Sequence, residues 1–309
     1  MDKKTERLVN VARMYYEQDR TQSEIADRYG ISRPMVSKLL KEAWDRGIVT
    51  IRINAPKGES GGAPSLMELV GRCFGIYDGV AVPGGPNDQT TNEAVAEAAI
   101  SYLSELGGAS LGIGWGHIIG DVVKHMEQKA KLVPIGTFVC PLIGNGGVGL
   151  KNYHSNELVR SIAEHSGAQP RFIYSPACVL SEQELKLTRE LDSYHEIYHV
   201  WEKLDVALVN IGNFPSVPDF ASEARYGDLL IRQKAVGRIL NYFMDSQGHI
   251  IRSDTDYAIQ IPLELLTRTR HVVGICSANT SPKAFRAALK TGYLKHFIAP
   301  EHVVREALE

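Results

Sequence analysis

Apolar side chains at Leu8, Val11, Ala12 and Tyr15 recur at helical spacing, with charge on the other face, and predict a helix from about Thr5 to Tyr16. A second helix begins at Thr21, and Glu24 three residues on completes a capping box. Ile25 and Ala26 form its inward face. Gly30 suits the positive φ of a tight turn, and Ile31 anchors that turn in the core. Ser32 caps a third helix that opens with Arg33 and Pro34, where proline removes no intrahelical bond. Val36, Leu39, Leu40 and Ala43 supply its buried stripe. Gly47 ends it, and Ile48 to Ile53 alternates as a short strand.

Ala55 to Ser65, APKGESGGAPS, is rich in Gly, Pro and Ser and reads as a linker. After it, short β-rich apolar runs alternate with helical stretches. Strands are expected at Gly79–Val82, Ser110–Ile113, Ile135–Leu142, Arg171–Tyr174, Val206–Ile211, Val272–Cys276 and His296–Ala299. Helices are expected at Asn92–Leu106, Ile118–His125, Ser155–Ser166, Glu182–Leu191 and Pro282–Thr291. Such alternation implies an α/β domain with a mostly parallel sheet covered on both faces. The chain therefore divides into a small all-α head over residues 1–54, a linker over 55–65, and a large domain over 66–309.

Composition adds limits. Hydrophobic residues make up 44% and charged residues 23%, an ordinary soluble balance. No apolar run reaches the roughly 18 residues that span a bilayer, and the start, MDKKTERLVN, lacks the apolar core of a signal peptide. Cys73, Cys140, Cys178 and Cys276 form no CxxC pair, which argues against a zinc cluster or disulfide framework and favours a reducing, cytoplasmic setting. Met1 to Pro56 carries 11 basic against 8 acidic residues, a net of +3, and leaves −5 for the rest of a chain whose total is −2. A basic head on an acidic body suits an anionic partner at the head only.

The head has the makings of a helix-turn-helix whose third helix enters a DNA major groove. Its outward side offers Arg33, Met35, Ser37, Lys38 and Lys41; the arginine and lysines can donate to guanine edges or phosphates, and Ser37 can bond either. Gln22 and Ser23, at the start of the second helix, can bond phosphate through side chains and exposed amides. A plain helical hairpin with a solvated basic face is the alternative. Ala26, Gly30, Ile31 and Val36 at core positions favour double-stranded DNA as the partner.

In the large domain, LGIGWGHIIGDVV from Leu111 runs from a strand through a glycine turn into a helix, and amides there can hold an anion. Gly112, Gly114, Trp115, Gly116 and His117 are the candidates. The dinucleotide fingerprint fails, because His117 stands where the third glycine belongs and the next strand ends without a ribose-binding acid. No cofactor is implied. A second cluster from Pro141 places Asn145, Gly146 and Gly147 in a strand-end loop, followed by His154 and Asn156. These are candidate hydroxyl or phosphate partners, or turn and cap residues. Asp245 can accept two sugar hydroxyls or can simply form an Asp turn. Asn279 and Lys283 flank a helix start where Lys283 can reach a phosphate. No GxSxG, HExxH or Walker motif is present, so no catalytic residue is assigned. His195 and His199 lie four apart with no third ligand in view, and no metal site is assigned.

In combination these blocks resemble the SorC family of bacterial sugar-responsive transcriptional regulators, nearly end to end. The carrying stretches are DRGIVTIRI, LGIGWG, NELVRSIAEHSGA, SPACV, DVALVNIGN, NYFMDSQGHI and SPKAFRAALKTG, in that order. The resemblance implies a helix-turn-helix head joined to a Rossmann-like domain related to sugar-phosphate isomerases. It implies an operator DNA partner, a sugar or sugar-phosphate effector, and assembly as a dimer or tetramer. Asp245 and Lys283 match effector-contacting positions of the family, and Gly112, Gly114 and Gly116 match its phosphate turn. The chain departs from the pattern at three places. His117, Ile118 and Ile119 stand where the family has a hydroxyl residue, Ala278 and Asn279 replace its glycine pair, and Ala299 and Pro300 replace its late Thr-Asp. His117 is then the expected anion donor. An isomerase-like enzyme with a fused DNA-binding head is the competing class.

Overall fold

The computed structural model describes residues 3–16, 18, 20–45, 49, 64–106, 108–129, 136–147, 149, 151–216 and 225–309. The chain forms two compact units, Met1–Gly62 and Ala63–Glu309. The expected strand over residues 48–53, apart from Val49, and most of the linker lie outside the described residues.

The first unit holds α1 (Lys3–Tyr16), α2 (Gln22–Tyr29) and α3 (Arg33–Asp45). Val11, Met14, Ile25, Ala26, Val36 and Leu40 form a small core shared by all three helices, and Leu8, Ala12 and Ala43 form a second cluster between α1 and α3, with Leu39 packed against both. The capping box forms: the Thr21 amide donates to Glu24 Oε2 at 2.8 Å, and the Glu24 amide donates to Thr21 Oγ1 at 3.2 Å. These bonds hold the Glu24 carboxyl below its ordinary range. Gly30 adopts φ +60°, ψ +37°, and the next amide, of Ile31, closes on the Ala26 carbonyl at 3.0 Å. That left-handed residue lets the chain reverse between α2 and α3 without strain.

The second unit is a doubly wound sheet. Its helices are α4 (Leu66–Phe74), α5 (Asp88–Glu105), α6 (His117–Glu127), α7 (Ser155–Ser166), α8 (Glu182–Glu190), α9 (Asp192–Trp201), α10 (Leu229–Arg232), α11 (Leu263–Arg268), α12 (Pro282–Lys290) and α13 (Glu301–Leu308). Its strands are β1 (Gly79–Val82), β2 (Leu111–Ile113), β3 (Phe138–Pro141), β4 (Gln169–Pro170), β5 (Val206–Asn213), β6 (Gly237–Ile239), β7 (Tyr242–Met244), β8 (His271–Ile275) and β9 (His296–Pro300). The parallel order is β1-β9-β8-β5-β2-β3-β4, and β6 pairs antiparallel with the end of β5 and with β7. α5, α6 and α7 lie side by side in one layer, and α4, α12 and α13 pack together in another. Both faces of the central strands are covered, which is why β5 and β8 read as continuous apolar runs. Among the described residues no helix is long and apolar enough to cross a membrane.

Several elements depart from the pattern-based expectation. The run 171–174 is not a strand; β4 is only Gln169–Pro170. The reason is Asn156, whose Oδ1 accepts from the Ile173 amide at 3.0 Å while its Nδ2 donates to the Ile173 carbonyl at 2.8 Å. A side chain thus takes the bonds a neighbouring strand would have used. α5 starts four residues early, at Asp88, because Asn87 and Thr90 form a capping box on a polar first turn that carries no apolar period. α4, α9, α10, α11, α13 and the β6–β7 hairpin were not among the expected elements.

Close packing at the sheet ends is unforgiving. A Cβ on Gly144 would lie 2.2 Å from the Pro176 carbonyl oxygen, which is backbone and cannot move aside. Gly144→Ala is expected to cost about 1–3 kcal/mol through overpacking and to lower the melting temperature by roughly 2–10 °C, read by calorimetry on the full chain.

Candidate functional site

In the head, Arg33, Met35, Ser37, Lys38 and Lys41 are all exposed along α3, Ser23 is exposed at the start of α2, and Gln22 beside it is half-buried. The buried stripe turns the opposite side of α3 inward, so the basic side is left to solvent. The exposed Glu24 carboxylate is occupied with its cap and with Arg20.

The large unit has a crevice of about 500 Å³ at the carboxyl ends of β2 and β5, where the strand order reverses. In a doubly wound sheet this is where two neighbouring strands feed helices on opposite faces and leave a gap. Three features build it. The first is the turn after β2. The Gly114 amide donates to the Leu208 carbonyl and the Gly116 amide to the Asn152 carbonyl, both at 2.8 Å. Gly116 adopts φ +112° and precedes α6 without any side-chain cap. The first amides of α6, from His117 on, therefore have no intrahelical acceptor. Gly116, His117 and Ile118 line the crevice.

The second feature is Arg238. It is buried on β6 yet lines the crevice, and its Nη1 donates to Asn241 Oδ1 at 3.1 Å. Its register partner on β5 is Gly212, where a Cβ would meet the Arg238 side chain at 3.0 Å. The third is a set of acceptors and amides. Asn210 is 8% exposed, lines the crevice, and its Oδ1 has no hydrogen-bond partner among the described residues. A buried acceptor left unsatisfied costs free energy until a donor arrives. Asp121, on α6, lines the same crevice; burial raises its carboxyl above the ordinary range, and nearby His117 and Lys124 oppose that. Asn213 clasps the opposite rim, donating to the Asn279 carbonyl at 2.9 Å and accepting from the Ser281 amide at 2.7 Å. Tyr153 stands edge-on to both Trp115 and His117, with ring centroids 5.8 and 5.5 Å away.

Of the residues singled out from sequence, the crevice brings together Gly116, His117 and Asn279. Gly112 and Gly114 serve it through packing. A Cβ on Gly112 would strike Leu142 and Leu204, and one on Gly114 would strike Leu240. Trp115 is fully buried beneath the site. Gly146 packs under Tyr153 and Trp115, and Gly147 faces open space. Asn145 and Asn156 lie elsewhere and are spent on structure. Asn145 donates to the Ile173 carbonyl and accepts the Asn156 amide, so it caps α7 from a distance, while His154 holds the N-cap position. Asp245 is a turn residue. Burial works against its charge, but the amides of His249 and Gln247 outweigh this and hold its carboxyl below the ordinary range. Lys283 is exposed on α12 and does not line the crevice. His195 and His199 are exposed on α9, and among the described residues no three potential ligands converge on a metal position.

Asn92, Asp121, Tyr153, Asn210, Asn213 and Arg238 were not singled out. One signal was legible: Asn210 interrupts the apolar run VALVNI, and a polar residue inside a doubly covered strand needs a reason. Arg238 carried no signal, since its place depends on a hairpin folding back along β5.

A helix-turn-helix head and a doubly wound domain with a polar crevice at its switch point define a ligand-responsive DNA-binding regulator. Comparison with known proteins agrees. Residues 63–309 match the family described as "Putative sugar-binding domain", and residues 5–46 match the one described as "Sigma-70, region 4". The chain belongs to this sugar-binding family and is a SorC-type transcriptional regulator. The Sorbitol operon regulator of Klebsiella pneumoniae is 29% identical over 93% of this chain and 92% of its own length. The Deoxyribonucleoside regulator of Bacillus subtilis (strain 168) is 26% identical over 99% and 98%. The crystal structure of the full-length sorbitol operon regulator SorC from Klebsiella pneumoniae superposes with a TM-score of 0.69 at 27% identity, covering 98% of each chain. These relatives bear the names of regulators and not of enzymes.

Asp121 gives a direct test of the crevice's electrostatics. Its folded-state pKa is raised, so the native state binds its proton more tightly and stability declines as pH rises through the interval above the ordinary aspartate value. Asp121→Asn is expected to raise the melting temperature at pH 7 by about 1–2 °C, and the gain should vanish below about pH 3.8, where wild-type Asp121 is itself neutral in both states.

Proposed function

We propose that the crevice holds a phosphorylated sugar and that its occupancy governs how tightly the head grips operator DNA. One observation carries this reading: a single crevice combines an uncapped helix start and a buried arginine with an unsatisfied buried acceptor and a half-buried carboxylate. The first pair suits an anion and the second pair suits hydroxyl groups. A phosphorylated sugar presents both on one small body. The phosphate is assigned to the start of α6 and Arg238, with His117 at its edge, and the hydroxyls to Asn210 and Asp121, while Asn213 holds the rim. The relatives' names, with sorbitol in one and deoxyribonucleoside in the other, support a hydroxyl-bearing small molecule.

The operator is assigned to α3. Arg33, Met35, Ser37, Lys38 and Lys41 face the major groove in this reading, with Gln22 and Ser23 on phosphate. One small head buries too little surface for operator-level affinity, so two or more heads of a homo-oligomer on a palindromic site are part of the proposal. The mechanism is linkage: the effector shifts operator affinity by the ratio of its own affinities for the two arrangements. A DNA partner puts the protein in the cytoplasm.

A thermal-shift screen of matched sugars and sugar phosphates tests the ligand. Phosphorylated members should raise the melting temperature and their unphosphorylated counterparts should raise it less. Arg238→Met should weaken the phosphorylated ligand by at least about tenfold, while a screen in which no sugar phosphate stabilises the protein would refute the reading. For the head, Lys38→Ala should weaken binding to the promoter region of the neighbouring operon and reduce the slope of log affinity against log salt by about 1. An unchanged slope in gel-shift titrations would remove Lys38 from the interface.

A further inference from the structure

Directly behind the effector crevice lies a buried polar network that the sugar-phosphate reading leaves unused. We propose that Asn241 is a positioning residue for effector binding, which presets the Arg238 guanidinium at the crevice wall by tying it to a fixed ion pair behind it. The proposal rests on the reading of Arg238 as the cation that meets the phosphate.

Arg238 has a long side chain with four rotatable torsions, and its position in the folded protein has to come from its contacts. Its Nη1 donates to Asn241 Oδ1 at 3.1 Å. Asn241 is fully buried, and that bond is the one its side chain makes among the described residues; its Nδ2 has no partner. An orphan buried donor is unfavourable, and an apolar residue of the same size would avoid it. The asparagine is therefore explained by its acceptor, and the acceptor serves Arg238.

Asn241 is itself held by its backbone. Its amide donates to Gln260 Oε1 at 3.0 Å, and its carbonyl accepts from Arg225 Nη2 at 3.3 Å. Gln260 and Arg225 are buried in turn. Arg225 pairs with Asp256 through Nε at 2.9 Å and through Nη2, and Tyr226 donates to the other Asp256 oxygen at 2.7 Å. The hydroxyls of Ser253 and Thr255 close on the Arg225 carbonyl. Leu240, just before Asn241, sits at φ +53° in the tight β6–β7 turn, a conformation that a leucine holds only when its surroundings dictate it. The chain of bonds thus runs from the crevice through Arg238 and Asn241 to the Arg225–Asp256 pair. A guanidinium fixed in advance loses less freedom when a phosphate arrives.

The test is a double-mutant cycle on the full chain, with inorganic phosphate as the probe and calorimetric titration as the readout. Asn241→Leu should weaken phosphate binding by about tenfold in the natural background and by less than about twofold when Arg238 is already methionine. Equal losses in both backgrounds would give Asn241 a purely structural role and overturn the proposal. Asn241→Asp keeps the shape and the acceptor, and it guards against a leucine variant that fails to fold. Its carboxylate should pair with Arg238 and weaken phosphate at least about tenfold without lowering the melting temperature; unchanged phosphate affinity overturns the proposal as well. If the natural chain binds no phosphate, the phosphate reading of the crevice falls, and positioning is then decided by a crystal structure of Asn241→Leu. A displaced Arg238 guanidinium supports the role, and one left in its present place overturns it.

Discussion

The large unit depends on one topological constraint: the sheet reverses direction between β2 and β5. The chain runs outward from β2 through β3 to β4, then returns to the other side of β2 as β5. At such a reversal the two adjacent parallel strands lead to different sides, and a crevice opens in the gap at their carboxyl ends. Each feature of the crevice answers to that gap. The turn after β2 is tight because Gly112 and Gly114 admit neighbours where a side chain would collide. α6 begins at the gap because the turn delivers it there. Asn210 is polar within an apolar strand because its end of β5 borders the opening.

Burial gives these polar groups their significance. Arg238, Asn210 and half-buried Asp121 are withdrawn from bulk water, so their mutual fields and their fields on a ligand are weakly screened. The same withdrawal makes the unsatisfied Asn210 Oδ1 costly and increases what a matching donor would gain there. Behind Arg238, the Arg225–Asp256 pair and the turn at Leu240 hold the Asn241 backbone in place.

The head works by a different economy of form. Its core is small, and its helices are kept in register by a capping box at Thr21 and a left-handed glycine at Gly30. These devices act locally and leave the basic side of α3 free to face an anionic surface. A regulator needs this division. The large unit discriminates among small molecules through burial, whereas the head recognises an extended polyanion through exposed charge. Linkage between the two requires only that the ligand prefer one arrangement of the molecule over another.

Local chemistry made much of this legible in the sequence. The three head helices, their caps, the turn at Gly30 and the outward basic residues follow from period, capping and glycine preference, all of which act within a few residues. The alternation of apolar runs and helical stretches determined the parallel sheet, and the glycine turn after β2 pointed to the crevice. The partners of that turn were decided by tertiary structure. Asn92, Asp121 and Arg238 come from α5, α6 and β6, while Asn210 and Asn213 share β5, and no spacing along the chain relates the four elements. Asn145, Asn156 and Asp245 looked equally suited to a ligand, but their side chains bond backbone groups of nearby segments instead. A polar residue's type states what it can bond, and only the folded neighbourhood settles whether that capacity is already used.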